Sequence, residues 1–287
     1  MAVADTSPEG SPQAAKARHP AAHKVTLAVR RIVGINTLGV ATLIWRQVIA
    51  EFLVFKLVLL GPALQAMLFA LVISLAVGTR IAEVGGLPFL EFLAPGLVIA
   101  AAVQRSFEST AFSMVHEKLE GTIGDVFGAP LTAGEILTGY TVGATITGIC
   151  IGLPVWLVLL PFGAGLPLHG LAMLYFVLVG CIILAFFGLI AGMQSHRWDS
   201  LSAKETFVLT PLLFLSGSFF TVDALGEPFR SMMMANPVFH LVNGFRYAMT
   251  GYADAPVWVS AAVVGILAAV LCLVALRLVA IGYKVKA

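Results

Sequence analysis

Charged side chains inside apolar stretches are the residues of this sequence that most clearly indicate chemistry. Arg105 and Glu108 lie three positions apart in such a stretch, and on a helix this spacing puts both on one face. A charge at the centre of a membrane-spanning helix costs about 2.5–3.5 kcal/mol, so its presence indicates a function such as lining a translocation pathway. A pair that only locks one helix to its neighbour is the alternative, and the sequence leaves both open.

Common catalytic, metal-binding and phosphate-binding motifs are absent from the sequence. No Gly-Lys dipeptide occurs, so there is no phosphate-binding loop for ATP. The zinc motif H-E-x-x-H begins at His116 but has Glu120 in place of its second histidine. Neither Gly-x-Ser-x-Gly nor a metal-ligand spacing of the three cysteines is present. We therefore expect no catalytic residue, no metal and no cofactor in this chain.

The composition indicates a membrane protein. Of the 287 residues, 59% are hydrophobic and 11% are charged, whereas soluble domains carry about 25% charged residues. In lipid every backbone polar group must be satisfied within the protein, and long apolar runs without alternation select helices over barrel strands. The net charge of +2 gives no indication of nucleic-acid binding. The predicted fold class is therefore an all-α integral membrane protein.

Six apolar stretches exceed the roughly 17 residues that a helix needs to cross a bilayer. The positive-inside rule orients them, because most of the 17 lysines and arginines fall on the side of the two termini, which predicts both termini in the cytoplasm. Residues 1–24 are expected to form a disordered cytosolic tail, and residues 25–287 one transmembrane domain. The six transmembrane helices are expected at residues 53–77, 92–114, 136–162, 171–194, 205–222 and 257–281.

An amphipathic helix is predicted from about Val25 to Glu51, directly before the first span. Its polar face holds Arg31 and Arg46, and its apolar face is centred on Leu43. Trp45 suits the level of the lipid headgroups. These features are typical of an interfacial helix that lies on the membrane surface.

The longest polar interruption between two of these spans runs from Val115 to Glu135. Glycines break its helical pattern and a proline ends it, which predicts a short cytosolic helix tied at both ends to spanning helices. Such an element can transmit a push from a soluble partner into the membrane. The residues expected to contact this soluble partner are Glu117, Lys118, Glu120, Gly121, Thr122, Asp125 and Pro130.

The outer region before the last span is too apolar for a solvated loop. Asn236-Pro237 interrupts it, so we predict two short re-entrant helices that turn there and dip into the outer leaflet. Phe214, Phe219 and Phe220 lie shortly before this region and are candidates for a hydrophobic gate. Phenylalanines at the end of a span also commonly face lipid, which is the alternative.

Three of these regions together resemble the ABC-2-type permeases. The polar segment is similar to the family's cytosolic coupling segment, and the other two are similar to the end of its fifth span and to its outer region. The residues that carry the resemblance are Glu117-Lys118-x-Glu120-Gly121-Thr122, Pro130-Leu131-Thr132 and Glu135, then Leu215-Ser216-Gly217 with Phe219-Phe220, and finally Asn236-Pro237 with Arg246 and Gly251.

The resemblance implies the permease subunit of an ATP-driven exporter in a bacterial-type inner membrane. The implied cargo is amphipathic: a lipid-linked glycan, a polysaccharide or a drug. The implied assembly is a homodimer or heterodimer of permeases with two ATP-binding cassette subunits, which hold ATP and Mg. An ion-coupled secondary transporter is the alternative, and it would require titratable residues near several midplanes and an inverted repeat. A structural membrane scaffold is a third possibility.

Overall fold

Helices make up nearly all of the regular structure in the computed structural model, which describes residues 34–53, 55–77 and 83–284. The expected tail and Arg31 lie outside the described residues. In chain order the elements are α1 (Thr37–Leu53), α2 (Phe55–Val77), β1 (Glu83–Val84), β2 (Leu87–Pro88), α3 (Phe89–Leu119), α4 (Ile123–Gly128), α5 (Ala133–Leu159), α6 (Gly170–Gln194), α7 (Trp198–Lys204), α8 (Thr210–Phe214), α9 (Phe229–Ala235), α10 (Pro237–Thr250) and α11 (Val257–Ala280).

Four helices of the described ranges are long and apolar enough to cross a membrane. They are Phe89–Leu119, Ala133–Phe162, Gly170–Gln194 and Val257–Ala280, at the positions of the expected second, third, fourth and sixth spans. At the position of the first span, α2 contains a shorter apolar stretch, Leu60–Leu75. The chain is thus an all-α, multi-pass membrane protein.

The fifth span, expected at 205–222, is not a continuous helix. Helical structure begins earlier, at Trp198, in a stretch expected to be a loop, and it ends at Phe214. Between α7 and α8 the turn Glu205–Leu209 is π-helical, which makes it wider than an α-helical turn. Residues 215–221 then form turns and bends, so the expected bounds of this span are wrong.

A residue far along the chain sets the end of α8. Asn236 donates through Nδ2 to the carbonyl oxygens of Leu212 at 2.7 Å and Leu215 at 2.9 Å, which satisfies acceptors that the next helical turn would otherwise need. Gly217, with φ of 74°, then turns the backbone in the left-handed region. Asn236 also caps α10, because its Oδ1 accepts from the Val238 N–H at 2.9 Å.

A short antiparallel hairpin, which the sequence pattern did not predict, precedes α3. Glu83–Val84 pairs with Leu87–Pro88 across Gly85 and Gly86, whose φ angles of 62° and 78° are left-handed. Gly85 also leaves room for the ring of Tyr252, since a Cβ there would lie 2.5 Å from Tyr252 Cζ. The hairpin therefore holds the start of α3 against the segment that leads into α11.

The central element is α3, which is buried along much of its length and packs against α5 and α6. Glycines allow these close approaches. A Cβ at Gly148 of α5 would lie 2.2 Å from Ser106 Oγ, and one at Gly188 of α6 would lie 2.3 Å from the Phe107 carbonyl oxygen. Within a membrane the hydrophobic effect does not drive helices together, because lipid tails are as apolar as side chains. Small residues at helix contacts let the backbones approach closely, so that van der Waals contacts hold the helices together.

Local signals explain where α5 begins. Thr132 Oγ1 accepts from the Glu135 N–H at 3.3 Å, and Glu135 Oε2 accepts in return from the Thr132 N–H at 2.6 Å. This reciprocal capping box satisfies two N–H groups that have no partner within the helix. Glu135 also accepts from the backbone N–H of Asn36, so the start of α5 is tied to the segment before α1.

The close contact between α6 and α3 gives a first prediction. Gly188→Ala should lower the melting temperature of the detergent-solubilised protein, because overpacking a tight contact costs about 1–3 kcal/mol. Gly170→Ala, at the start of the same helix, is the matched control, since a Cβ there meets no atom within 4 Å. Equal melting temperatures of the two variants would contradict the close packing of α3 and α6.

Candidate functional site

A cavity of about 530 Å³ lies between α2, α3, α5 and the region around α8. It brings together four of the five residues that the sequence proposed for a translocation pathway, namely Arg105, Glu108, Phe214 and Phe219. The fifth, Phe220, does not line the cavity and packs instead against the apolar cluster of Val222, Met233, Phe239 and Ala255. The remaining lining residues are Pro62, Gln65, Ala66, Phe69, Leu97, Ala100, Ala101, Gln104 and Ile151.

One side of the cavity is aromatic. Phe219 meets Phe69 edge to face, with 5.6 Å between ring centroids, and stacks on Phe214 at 5.8 Å. Both arrangements are favourable for the quadrupoles of the rings. Phe69 was missed in the sequence, where nothing distinguishes it from the other apolar residues of its span. The three rings give the cavity an apolar surface that an apolar ligand can contact.

The lining of the cavity also contains charged side chains. Arg105 Nη1 donates to Glu108 Oε2 at 3.1 Å, so the predicted pair forms, and Arg105 Nη2 donates to Glu51 of α1. Gln104 Nε2 donates to Glu108 Oε1 at 2.9 Å. The role of Glu51 was missed, although one signal was available: it is the only acidic residue between Glu9 and Glu83. The guanidinium therefore ties α1 to α3 beside the cavity.

A second polar network connects the other end of α3 with α1 and α5. Glu117 is buried and accepts from Arg46 Nη2 at 2.5 Å, from the Tyr140 hydroxyl, and from Ser113 Oγ at 3.3 Å. The sequence predicted that Glu117 faces a soluble partner, and this orientation is wrong. The apolar run ends near Met114, but the helix continues to Leu119 and turns Glu117 towards the neighbouring helices.

Lys118 is also engaged within the chain. Its Nζ donates to three carbonyl oxygens at the end of α6, those of Gly192 at 3.1 Å, Ser195 at 3.2 Å and Met193. A cation is favourable at this position because the C-terminal end of a helix carries partial negative charge and carbonyls without intrahelical partners. The expected exposure of Lys118 to a partner is therefore corrected as well.

Most of the other residues that the sequence predicted to contact a soluble partner lie at the surface. Glu120, Gly121, Asp125 and Pro130 are exposed, whereas Thr122 is half-buried and makes no side-chain cap of α4. In α4, Ile123 and Val126 are buried and Phe127 packs half-buried against the same apolar cluster, whereas Gly124, Asp125 and Gly128 are exposed. A Cβ added at any of its neighbouring glycines, Gly121, Gly124 and Gly128, would meet no atom within 4 Å.

One face of α1 packs against α5. A Cβ at Gly139 would lie 2.8 Å from Leu43 Cβ, and one at Gly143 would lie 2.7 Å from Gln47 Cβ. The two glycines of α5 therefore leave the space that the side chains of α1 occupy. Gln47 is buried and donates to the Ser109 carbonyl oxygen at 2.8 Å. Trp45, on another face, is 66% exposed. The helix predicted to lie at the interface is thus attached to the helical core.

A third network lies around Arg246 of α10, whose side chain is fully buried. Its Nη1 donates to Asp254 Oδ2 at 2.9 Å, its Nε donates to the Phe92 carbonyl oxygen at 3.2 Å, and its Nη2 donates to the Gly217 carbonyl oxygen. Burial lowers the pKa of Arg246 to about 10 and raises the pKa of Tyr252, which donates to Asp254, to about 12. At neutral pH the guanidinium keeps its charge and the phenol keeps its proton.

The comparison with known protein families identifies the family of this chain. Residues 39–250 match the family model described as ABC-2 type transporter. The chain belongs to the ABC-2 type transporter family. As a member, it is the membrane transport permease of an ABC transporter and not its ATPase. The matched range contains the residues that line the cavity, the segment from Val115 to Glu135, and Arg246.

Individual relatives of this ABC-2 permease cover most of its length. The inner membrane transport permease YadH of Escherichia coli K12 is 27% identical over 215 residues, which cover 74% of this chain and 84% of that protein. Nodulation protein J of Rhizobium leguminosarum bv. viciae is 27% identical over 231 residues, 75% of this chain and 87% of that protein. Nodulation protein J of Neorhizobium galegae is 26% identical over 225 residues.

The burial of Glu117 generates a second prediction for this ABC-2 permease. Glu117→Gln should lower the melting temperature of the purified chain, because it weakens charge-assisted hydrogen bonds that contribute about 1.5–3 kcal/mol each. Glu120→Gln, three residues later on the exposed surface, is the control and should leave the melting temperature unchanged. If only Glu120→Gln destabilises the protein, the inward orientation of Glu117 is wrong.

Proposed function

We propose that this permease is the membrane subunit of an exporter that moves an amphipathic substrate out of the cytoplasm, driven by separate ATP-binding subunits. The observation that carries the proposal is the cavity, whose lining contains both the Phe69, Phe214 and Phe219 rings and the Arg105–Glu108 pair. Apolar rings and a charged pair in one cavity suit a molecule with an apolar body and a polar head. A lipid-linked glycan, a polysaccharide carrier or a drug meets this description.

The proposed source of energy is another subunit, since the sequence has no phosphate-binding loop and the ABC-2 type family supplies the membrane subunit of an ABC transporter. The exposed surface of α4 is the proposed docking site of that subunit. The glycines there carry no side chains, so the backbone of a partner can approach closely, and Glu120 and Asp125 offer charges for pairing. Two ATP-binding cassette subunits, which hold ATP and Mg, would bind two copies of this site.

A continuous helix connects the docking surface with the cavity. Glu120 directly follows α3, and Arg105 lies on the same helix beside the cavity, about 22 Å away at 1.5 Å per residue. A helix transmits displacement along its axis because its hydrogen bonds make it stiff. Gly121, with φ of 76°, marks the turn at which α4 departs from this axis.

The proposed assembly contains two permeases, either identical or different, in a bacterial inner membrane. In it, α2 and the helical stretch from Trp198 to Phe214 act as the first and fifth of six spans, and α9 and α10 are the outer re-entrant helices. Both termini lie in the cytoplasm, which puts α4 on the side where ATP is available. The relative YadH is named as an inner membrane transport permease, which supports this location.

A third prediction tests the docking surface. Gly124→Leu should reduce the amount of the cognate ATP-binding subunit that copurifies with the permease at least tenfold, and ATP-driven transport in proteoliposomes should fall equally. A Cβ at position 124 meets no atom within 4 Å, so the melting temperature of the permease alone should not change. Gly170→Leu, also in open space but at the opposite end of the helical core, is the control. Full binding and transport by Gly124→Leu would remove α4 from the docking surface.

The fourth prediction concerns the source of energy. The purified permease alone should neither bind nor hydrolyse ATP, whereas its complex with the ATP-binding subunit should do both. In proteoliposomes that contain the complex, transport should then require ATP and should proceed without an ion gradient. Transport driven by a proton or sodium gradient in the absence of ATP would establish the alternative, an ion-coupled secondary transporter.

A further inference from the structure

We propose that the cavity selects a lipophilic cation, an amphiphile with an amine, guanidine or comparable cationic head. This inference deepens the proposed function, on which it rests for the role of the cavity in transport. The binding preference itself is a property of this chain and does not require ATP or a partner. It follows from the balance of charge, the aromatic rings and the size of the cavity.

The residues around the charged pair carry more negative than positive charge. Arg105 is the only cationic side chain among the described residues that line the cavity, and both of its terminal nitrogens are bound to carboxylates, those of Glu51 and Glu108. A third carboxylate, that of Glu205, lies beside Glu108 and Gln104. Among the described residues, one guanidinium is therefore paired with two carboxylates, and the surplus of charge is negative.

A surplus of negative charge is costly in this position. Arg105, Glu51 and Glu108 expose only 15–18% of their side chains, so water screens the carboxylates poorly. The field of such a site attracts cations and repels anions. A cationic head that enters the cavity lowers the energy of the carboxylates already there, whereas an anionic head of the same size raises it.

The aromatic rings in the same lining favour the same class of ligand. Phe69, Phe214 and Phe219 present aromatic rings, whose faces attract cations and whose area contacts apolar groups. The volume of about 530 Å³ falls within the range of cavities that hold drug-sized molecules. A lipophilic cation of this size can therefore use both surfaces at once, with its charge near Glu108 and its apolar body against the rings.

An anionic ligand is the competing possibility, because Arg105 is present. Its two terminal nitrogens already donate to carboxylates. Its Nε has no hydrogen-bond partner among the described residues, but this atom is enclosed and not accessible from the cavity. An anion would have to displace a carboxylate from the guanidinium, which leaves that carboxylate unpaired in an apolar environment.

The test compares two ions of nearly equal shape and opposite charge. Tetraphenylphosphonium and tetraphenylborate are titrated against the full chain in zwitterionic nanodiscs, and binding to empty nanodiscs is subtracted. We expect saturable binding of tetraphenylphosphonium with a Kd at least tenfold below that of tetraphenylborate. Equal affinities, tighter binding of tetraphenylborate, or no saturable binding of either ion would overturn the proposal. This comparison needs no variant, so it does not depend on the folding of a mutant.

Variants then locate the binding site. Glu108→Gln and Glu51→Gln should each weaken the binding of tetraphenylphosphonium about tenfold. Glu83→Gln removes the same charge from the exposed hairpin and should not change it. Wild-type affinity in folded Glu108→Gln would contradict a site in this cavity. If the cation binds here but ATP never drives transport, only the proposed function fails; if ATP drives transport of uncharged amphiphiles and the cation does not bind, only this inference fails.

Discussion

An arginine inside a helical membrane protein must find its counter-charge within the protein, and this requirement organises the whole length of α3. At one end of the helix, Arg46 pairs with Glu117; further along, Arg105 pairs with Glu51 and Glu108; at the start, Arg246 donates to the Phe92 carbonyl oxygen. Each guanidinium joins α3 to an element that is distant in sequence. The three contacts therefore fix α1, α10 and α3 as one unit, and the cavity lies along that unit.

The sequence predicted those features that depend on nearest neighbours. The spacing of Arg105 and Glu108 puts both on one face of a helix, and the ion pair at 3.1 Å is on that face. Asn236-Pro237 marks the junction of α9 and α10 because proline disfavours helical backbone in the residue before it. Apolar runs likewise indicated the four long helices, since a long apolar run is by itself sufficient to predict a membrane-spanning helix.

The sequence failed where a long-range contact overrides the local pattern. Hydropathy shows where an apolar run ends, not where a helix ends, so α3 continues past Met114 and buries Glu117. The end of α8 depends on two hydrogen bonds from Asn236, and the second partner of Arg105 lies in α1. None of these contacts has a signature within ten residues of the site that it determines; only the isolated acidic Glu51 gave a sequence signal, and that signal does not identify its partner.

The bonds from Lys118 to the last carbonyls of α6 have a mechanical consequence. They join the final turns of two long helices, and α6 contributes none of the residues that line the cavity. A load applied next to Lys118 is therefore shared between a helix that borders the cavity and a helix that braces it. A displacement at the end of either helix therefore strains the hydrogen bonds that Lys118 makes to the other.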